Sequence, residues 1–411
     1  MMIKRVFYGW FIVGICLMAM IISAGMGFYS IGVFFNPLMD DFGWNRTQVS
    51  AIVTVYWGVI AIAGPLVGRF LDVHGAAKTM FFGLMGSSLF LSLLSLTPSL
   101  LYFYIIYACL SASHTALSSI PYGYLISRWF IKRRGTAMGI ATAGIGIGGL
   151  VISPIVNALI TSYGWRNAYL ISGLGVLALM FPLLMFVKDS PEEMGLSPDG
   201  GEGAEIKSSH PGVENVWTAR EAIRSPVFWL ASFGLFLVYG TVFGTLSHEV
   251  PFIRDMGISP ARAAIILAFT AGIGVIGKLV YGYLMDKLSP RIVIASCFFL
   301  QSIGLIILLF TKTMIHLWIF VIIFGFSMGG TATLRPLIVT WLFGIGSYGT
   351  IFGAMQVLQS IGPALFPLLG GLIFDATGNY QWAFILFMST ATISGFIYLL
   401  IPVPSKPNCF H

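Results

Sequence analysis

GPLVGRFLDVHGAAK, residues 64–78, closes one long apolar run, and GKLVYGYLMDKLSPR, residues 277–291, closes another. At a constant offset of 214, Gly68 falls on Gly282 and Asp72 on Asp286. The same offset sets Gly139 of TAMGIATAG on Gly353 of TIFGAMQV, and YGWRNAY (163–169) pairs with NYQWAFI (379–385) at the starts of later runs. The chain is therefore an internal duplication, and its class follows from the runs around the two copies.

A helix needs about 20 largely apolar residues to cross roughly 30 Å of hydrocarbon. Runs of that kind lie at 8–36, 46–71, 78–97, 100–127, 135–161 and 166–187, then at 226–250, 261–285, 291–311, 315–343, 348–374 and 380–401. Open strands are excluded, because unpaired backbone groups cannot face lipid, and the runs are too long for barrel strands. Composition agrees. The 411 residues are 57% hydrophobic and 9% charged, against roughly 25% charged in soluble domains. Mean hydropathy is +0.91. A soluble enzyme and a nucleic-acid binder are both set aside. The expected class is an all-α membrane protein of twelve transmembrane helices in two six-helix pseudo-repeats, residues 1–187 and 226–411. Residues 188–225, rich in Pro, Gly, Ser and acids, form a linker loop between them. Near its end Thr218 and Glu221 have the spacing of a helix capping box.

The first run follows Lys4 and Arg5 and so imitates a secretory signal. Its apolar character continues through Phe34 and Phe35, which favours a retained first helix. Fifteen basic residues fall in one set of alternate loops, Lys4, Arg5, Arg128, Lys132, Arg133, Arg134, Lys188, Lys207 and Lys406 among them. Only Arg46, Arg166, Arg254, Arg262 and Lys312 fall in the other set. This asymmetry predicts a cell (inner) membrane protein with both termini and the linker in the cytoplasm. Cys16, Cys109, Cys297 and Cys409 stand singly, with no CxxC and no His at ligand spacing, so neither a metal nor a cofactor is expected.

Two cations remain inside spans. Lys278 lies about 12 Å along the eighth span from Asp286, and Arg335 is at a similar depth in the tenth. Gln356 and Gln359 lie roughly 12 to 17 Å into the eleventh. A buried cation without an acid calls for an anionic ligand. In the fourth span Ser111, Thr115, Ser118 and Tyr122 recur at helical spacing with His114 beside them, predicting one polar face. His114, and His248 with Glu249 in the seventh span, are candidates for carrying a proton.

Six plus six helices around a central loop is the organisation of a transporter built from parallel repeats. The stretch carrying Gly68, Asp72, Gly75 and Lys78 resembles the loop signature of the major facilitator superfamily, with Gly282, Asp286 and Arg291 as its echo. RWFIKRRGTAMGIATAGIGIG (128–148), Tyr8-Gly9-Trp10 and HEVPFIRDMG (248–257) are similar to segments of its monocarboxylate and oxalate/formate group. The resemblance implies that Lys278 aligns with the arginine that binds the substrate carboxylate in those carriers. It also implies departures. Their eighth-span acid is Gly274 here, their first-span lysine falls on Tyr29, and the oxalate carriers' eleventh-span lysine falls on Met355.

The expected function is secondary transport of a small organic anion, a lactate- or pyruvate-like monocarboxylate, by alternating access and with proton symport as one driving force. The rivals are a dicarboxylate or oxalate exchanger and a drug exporter. No catalytic constellation and no nucleotide-binding segment is legible, so no enzyme is expected. Expected substrate contacts are Lys278, Arg335, Thr115, Ser118, Tyr29 and Gln359. Asp72, Asp286 and Arg133 are expected to serve gating, with the lipid bilayer as surroundings and no obligate protein partner.

Overall fold

The computed structural model describes residues 7–200 and 217–403. Lys4, Arg5, Lys207, Lys406 and Cys409, used above for topology and cysteine chemistry, lie outside the described residues.

Every regular element among the described residues is helical. The first span comprises α1 (Tyr8–Ala24), a π-helical turn (Gly25–Tyr29) and α2 (Ile31–Phe42), which ends at Gly43 in the left-handed region. Then come α3 (Arg46–His74), α4 (Ala76–Leu94), α5 (Leu100–Leu117), α6 (Ser119–Trp129) and α7 (Arg134–Leu184). After the linker follow α8 (Ala219–Arg224), α9 (Pro226–Asp255), α10 (Pro260–Met285), α11 (Pro290–Leu309), α12 (Met314–Phe343), α13 (Tyr348–Thr377) and α14 (Gln381–Leu400).

Starts and stops follow local chemistry. Asn45 and Gln48 close a capping box on α3, and Thr218 with Glu221 does the same on α8, as their spacing predicted. Three helices begin at Ser-Pro: Ser225-Pro226, Ser259-Pro260 and Ser289-Pro290. Proline suits the first helical position because the N–H it lacks has no partner there. Eleven described helical segments are long and apolar enough to cross a membrane. The longest, α7, breaks at Gly164 (φ 77°, ψ 161°), between the predicted fifth and sixth spans. That break gives twelve crossings.

One expectation fails. The fourth span is not one helix, because Ser118 leaves helical geometry (φ −110°, ψ −128°) between α5 and α6. Pro121 has no N–H to offer the carbonyl of Leu117, four residues back, so the turn there lacks its bond. The predicted polar face therefore breaks at Ser118. Ser111 and Thr115 remain on α5, and Tyr122 belongs to α6.

The chain divides into two compact units, one of Met1–Ser209 with Ser347–Gly353, the other of His210–Gly346 with Ala354–His411. Inside each, the same pairings recur. α3 packs on α5 and α4 on α5 and α7 in the first unit; α10 packs on α12 and α11 on α12 and α14 in the second. The duplication read from Gly68 and Gly282 is thus a duplication of packing. Small residues permit the close approaches. A Cβ on Gly144 would lie 2.6 Å from the carbonyl oxygen of Leu17, and one on Gly148 would lie 2.5 Å from that of Ile21. Large apolar side chains such as Ile62, Leu66 and Leu400 stand on the outside, as a surface in contact with lipid requires.

Candidate functional site

In the second unit Lys278 points inward from α10 and is 5% exposed. Its Nζ reaches back one turn and donates to the carbonyl of Gly274 at 3.4 Å. Side chains on a helix lean toward its N-terminus, so this is the natural direction for the stem. It carries the ammonium away from the nearer helix end at Asp286. No carboxylate lies within ion-pair distance of Lys278 among the described residues. Thr333 of α12 holds the Lys278 backbone by donating to its carbonyl at 3.2 Å.

Gly274 has a structural reason to be glycine. A Cβ there would sit 3.3 Å from the carbonyl oxygen of Gly325, and one on Gly329 would lie 1.9 Å from the carbonyl oxygen of Gly274. The backbones of α10 and α12 touch at this level. A carboxylate at 274 would face a carbonyl oxygen rather than a donor.

Arg335, half-buried on α12, donates to Gln356 Oε1 on α13, and its guanidinium lies 5.9 Å from the centre of the Tyr239 ring on α9. Gln359, one turn further along α13, is 1% exposed, and its Oε1 has no hydrogen-bond partner among the described residues. Glu249 of α9 is fully buried. Thr270 Oγ1 lies 2.7 Å from Glu249 Oε1, while Oε2 has no partner among the described residues. His248, beside it in sequence, faces elsewhere, with Nε2 2.8 Å from the carbonyl oxygen of Pro367 and its ring 5.2 Å from that of Tyr380. Facing a carbonyl, that nitrogen carries the ring hydrogen.

In the first unit His114 is 1% exposed, and neither ring nitrogen has a hydrogen-bond partner among the described residues. The ring packs on the π-helical turn so closely that a Cβ on Gly27 would meet Nδ1 at 2.2 Å. Tyr107 Oη donates to the carbonyl of Gly27 at 2.8 Å, bracing the same turn. Single π turns of this kind recur at functional positions. Tyr29 ends that turn, its ring 3.1 Å from where a Cβ on Gly149 would be. Thr115 spends its hydrogen on the carbonyl of Ser111 at 3.0 Å, so it offers lone pairs. Ser118, at the break, is half-buried.

Asp72 is engaged as a helix cap. Its two carboxylate oxygens accept from the backbone N–H groups of Gly349 and Thr350, each at 2.8 Å, at the start of α13. A negative charge is favoured where a helix leaves its first donors unpaired. Asp286 sits at the C-terminal cap of α10. Arg133 is exposed ahead of α7, while its neighbour Arg134 reaches inward to the carbonyls of Phe130 and Ser127. The structure therefore gathers Lys278, Arg335, Gln356, Gln359 and Glu249 into one helical unit, and Tyr29, His114 and Thr115 into the other. Sequence reasoning missed Thr270, Tyr239 and Tyr107. Thr270 had a signal, since it stands at the head of the row Thr270, Gly274, Lys278 at four-residue spacing. The tyrosines, from other helices, had none.

The family description Major Facilitator Superfamily matches residues 17–367 and 250–409. The chain belongs to the major facilitator superfamily. Its members are transporters and not enzymes. Among curated relatives of this superfamily member, the uncharacterized MFS-type transporter YcxA of Bacillus subtilis is 29% identical over 90% of both chains. Monocarboxylate transporter 13 of Bos taurus is 27% identical over 87% of this chain and 81% of its own. Monocarboxylate transporter 12 of Homo sapiens is 27% identical over 92% and 77%. Two solved structures share the fold: the E. coli fucose:proton symporter (TM-score 0.73, 14% identity, 96% of this chain and 98% of that one), and the proton:xylose symporter XylE (TM-score 0.76, 13% identity, 96% of both).

Proposed function

We propose that this transporter carries a small monocarboxylate of the lactate or pyruvate kind, and that Lys278 receives the carboxylate. One observation carries the reading: a buried ammonium whose side-chain partner is a single backbone carbonyl at 3.4 Å. An intramembrane charge is costly and marks a pathway by default. A single carbonyl neutralises none of that charge, whereas a carboxylate neutralises it and adds charge-assisted hydrogen bonds. The similarity to monocarboxylate transporters 12 and 13 supports the same substrate class. Lysine supplies a point charge rather than a bidentate fork, which suits a small ligand free to rotate in its site.

In this reading the cycle is alternating access in the cell membrane with the termini on the cytoplasmic side. Gln359 adds a polar group in the same helical unit as Lys278. Tyr29, Thr115 and Ser118 are the substrate contacts assigned to the first unit, and Asp72 and Asp286 act in gating. The test is a thermal-shift panel of carboxylates on the purified protein, repeated with Lys278→Ala. Lactate and pyruvate are expected to raise Tm for the natural protein and to leave the variant unmoved. A shift that persists in Lys278→Ala removes this assignment.

A further inference from the structure

Glu249 sits in apolar surroundings. Ile253 on α9 and Ile266 on α10, each one turn from the Glu249–Thr270 contact, belong to a buried cluster with Phe320, Phe324, Phe384 and Phe387. The carboxyl is wholly out of contact with solvent, and Oε2 has no partner among the described residues. The charged or titratable groups at this end of the surrounding helices are Arg262 on α10, His316 on α12 and Asp375 on α13, with Arg254 and Asp255 on α9 itself. All of these are exposed. His248 is turned to Pro367, Lys278 lies two turns further along α10, and α14 carries none from Gln381 to Thr392. No ion pair joins any of these groups to Glu249 among the described residues.

The contact with Thr270 contains its own proton count. Thr270 Oγ1 lies 2.7 Å from Glu249 Oε1 and 3.2 Å from the carbonyl oxygen of Ile266. A threonine hydroxyl has one hydrogen, so it makes one full-strength donation and not two. Donation to the carbonyl four residues back is the usual habit of a helical threonine. Both contacts then close if the carboxyl is protonated and donates to Thr270. The ionised alternative would leave a bare charge in these apolar surroundings with one hydrogen bond, which a buried carboxylate does not tolerate.

We propose that Glu249 is a proton-binding site of the transport cycle, protonated in the conformation seen here and linked through Thr270 to the helix that carries Lys278. When water reaches the carboxyl, its O–H bond breaks heterolytically, the proton passes to water as hydronium, and the carboxylate remains. Thr270 and Lys278 are eight residues apart on α10, about 12 Å along the axis. One anion at Lys278 and one proton at Glu249 together leave no net charge buried, so the loaded unit favours taking both. The anion half of this coupling rests on the substrate reading above; the proton site does not.

Two measurements test it. Infrared spectra of purified protein in heavy water at neutral pH are expected to show a protonated-carboxyl carbonyl band that Glu249→Gln removes and Thr270→Val shifts. A spectrum unchanged by Glu249→Gln overturns the proposal, and Glu249→Asp serves as the second variant if the first fails to fold. In proteoliposomes with a gradient of about one pH unit, one proton per anion drives about tenfold lactate accumulation. Glu249→Gln is expected to lose that accumulation while keeping lactate exchange. Undiminished accumulation by the variant overturns the coupling role. If the band is present and responds to the variant while the natural protein takes up no lactate, the substrate reading falls and the proton site stands.

Discussion

The ammonium of Lys278 donates to the carbonyl of Gly274, one turn back on its own helix. That relationship explains two features together. The cation stays at depth rather than extending to the nearer helix end, and it keeps hydrogens available for an incoming oxygen. The residue that supplies this carbonyl is glycine because the backbone of α12 lies against it.

Replacing Lys278 by Arg keeps the charge and adds a planar fork, whereas Ala removes both. A hydrogen bond to a charged group contributes about 1.5 to 3 kcal/mol. Lys278→Ala is therefore expected to weaken lactate binding about 10- to 150-fold, and Lys278→Arg to retain binding within roughly tenfold. Isothermal titration of the purified variants checks both values.

Gly329 touches the Gly274 carbonyl so closely that any Cβ must push α12 away from α10. Overpacking of this kind costs about 1 to 3 kcal/mol. Gly329→Ala is expected to lower Tm and to reduce uptake, because the displaced carbonyl is the one that holds Lys278. A variant with natural stability and transport would show that this approach is not needed.

Arg335 already has Gln356 and the Tyr239 ring as partners. A second carboxylate must compete with them, so succinate is expected to displace lactate poorly. Gln356→Leu, which removes the acceptor, is expected to improve that displacement several-fold, and Arg335→Gln in the same background to abolish the gain. Strong competition by succinate in the natural protein would instead favour the dicarboxylate reading.

Asp72 ties two backbone donors at the start of α13. An asparagine there keeps one acceptor oxygen and loses the charge. Loss of such a cap costs about 1 kcal/mol. Asp72→Asn is expected to speed amide exchange at Gly349 and Thr350, measured by hydrogen–deuterium exchange, with no change at the α8 capping box.

Much of this was legible in the residues. The run lengths, the duplication at Asp72 and Asp286, the break near Gly164 and the capping box at Thr218 are local, because apolar length and cap chemistry act over a few neighbouring residues. The depth of Lys278 follows from counting along one helix. The break at Ser118 was also legible, from Pro121, but the spacing of polar residues outweighed it.

Membership of the membrane and the places of the stranded cations are properties of the chain alone, since hydrocarbon selects for continuous apolar runs whatever packs beside them. What each polar group touches was decided by the tertiary structure. Glu249 meets Thr270 and Arg335 meets Gln356 across different helices, and His114 lies on a turn nearly ninety residues away in the chain. Rotation and register between helices set these meetings, through the volumes of every side chain in the seam, and no single stretch of sequence contains that information.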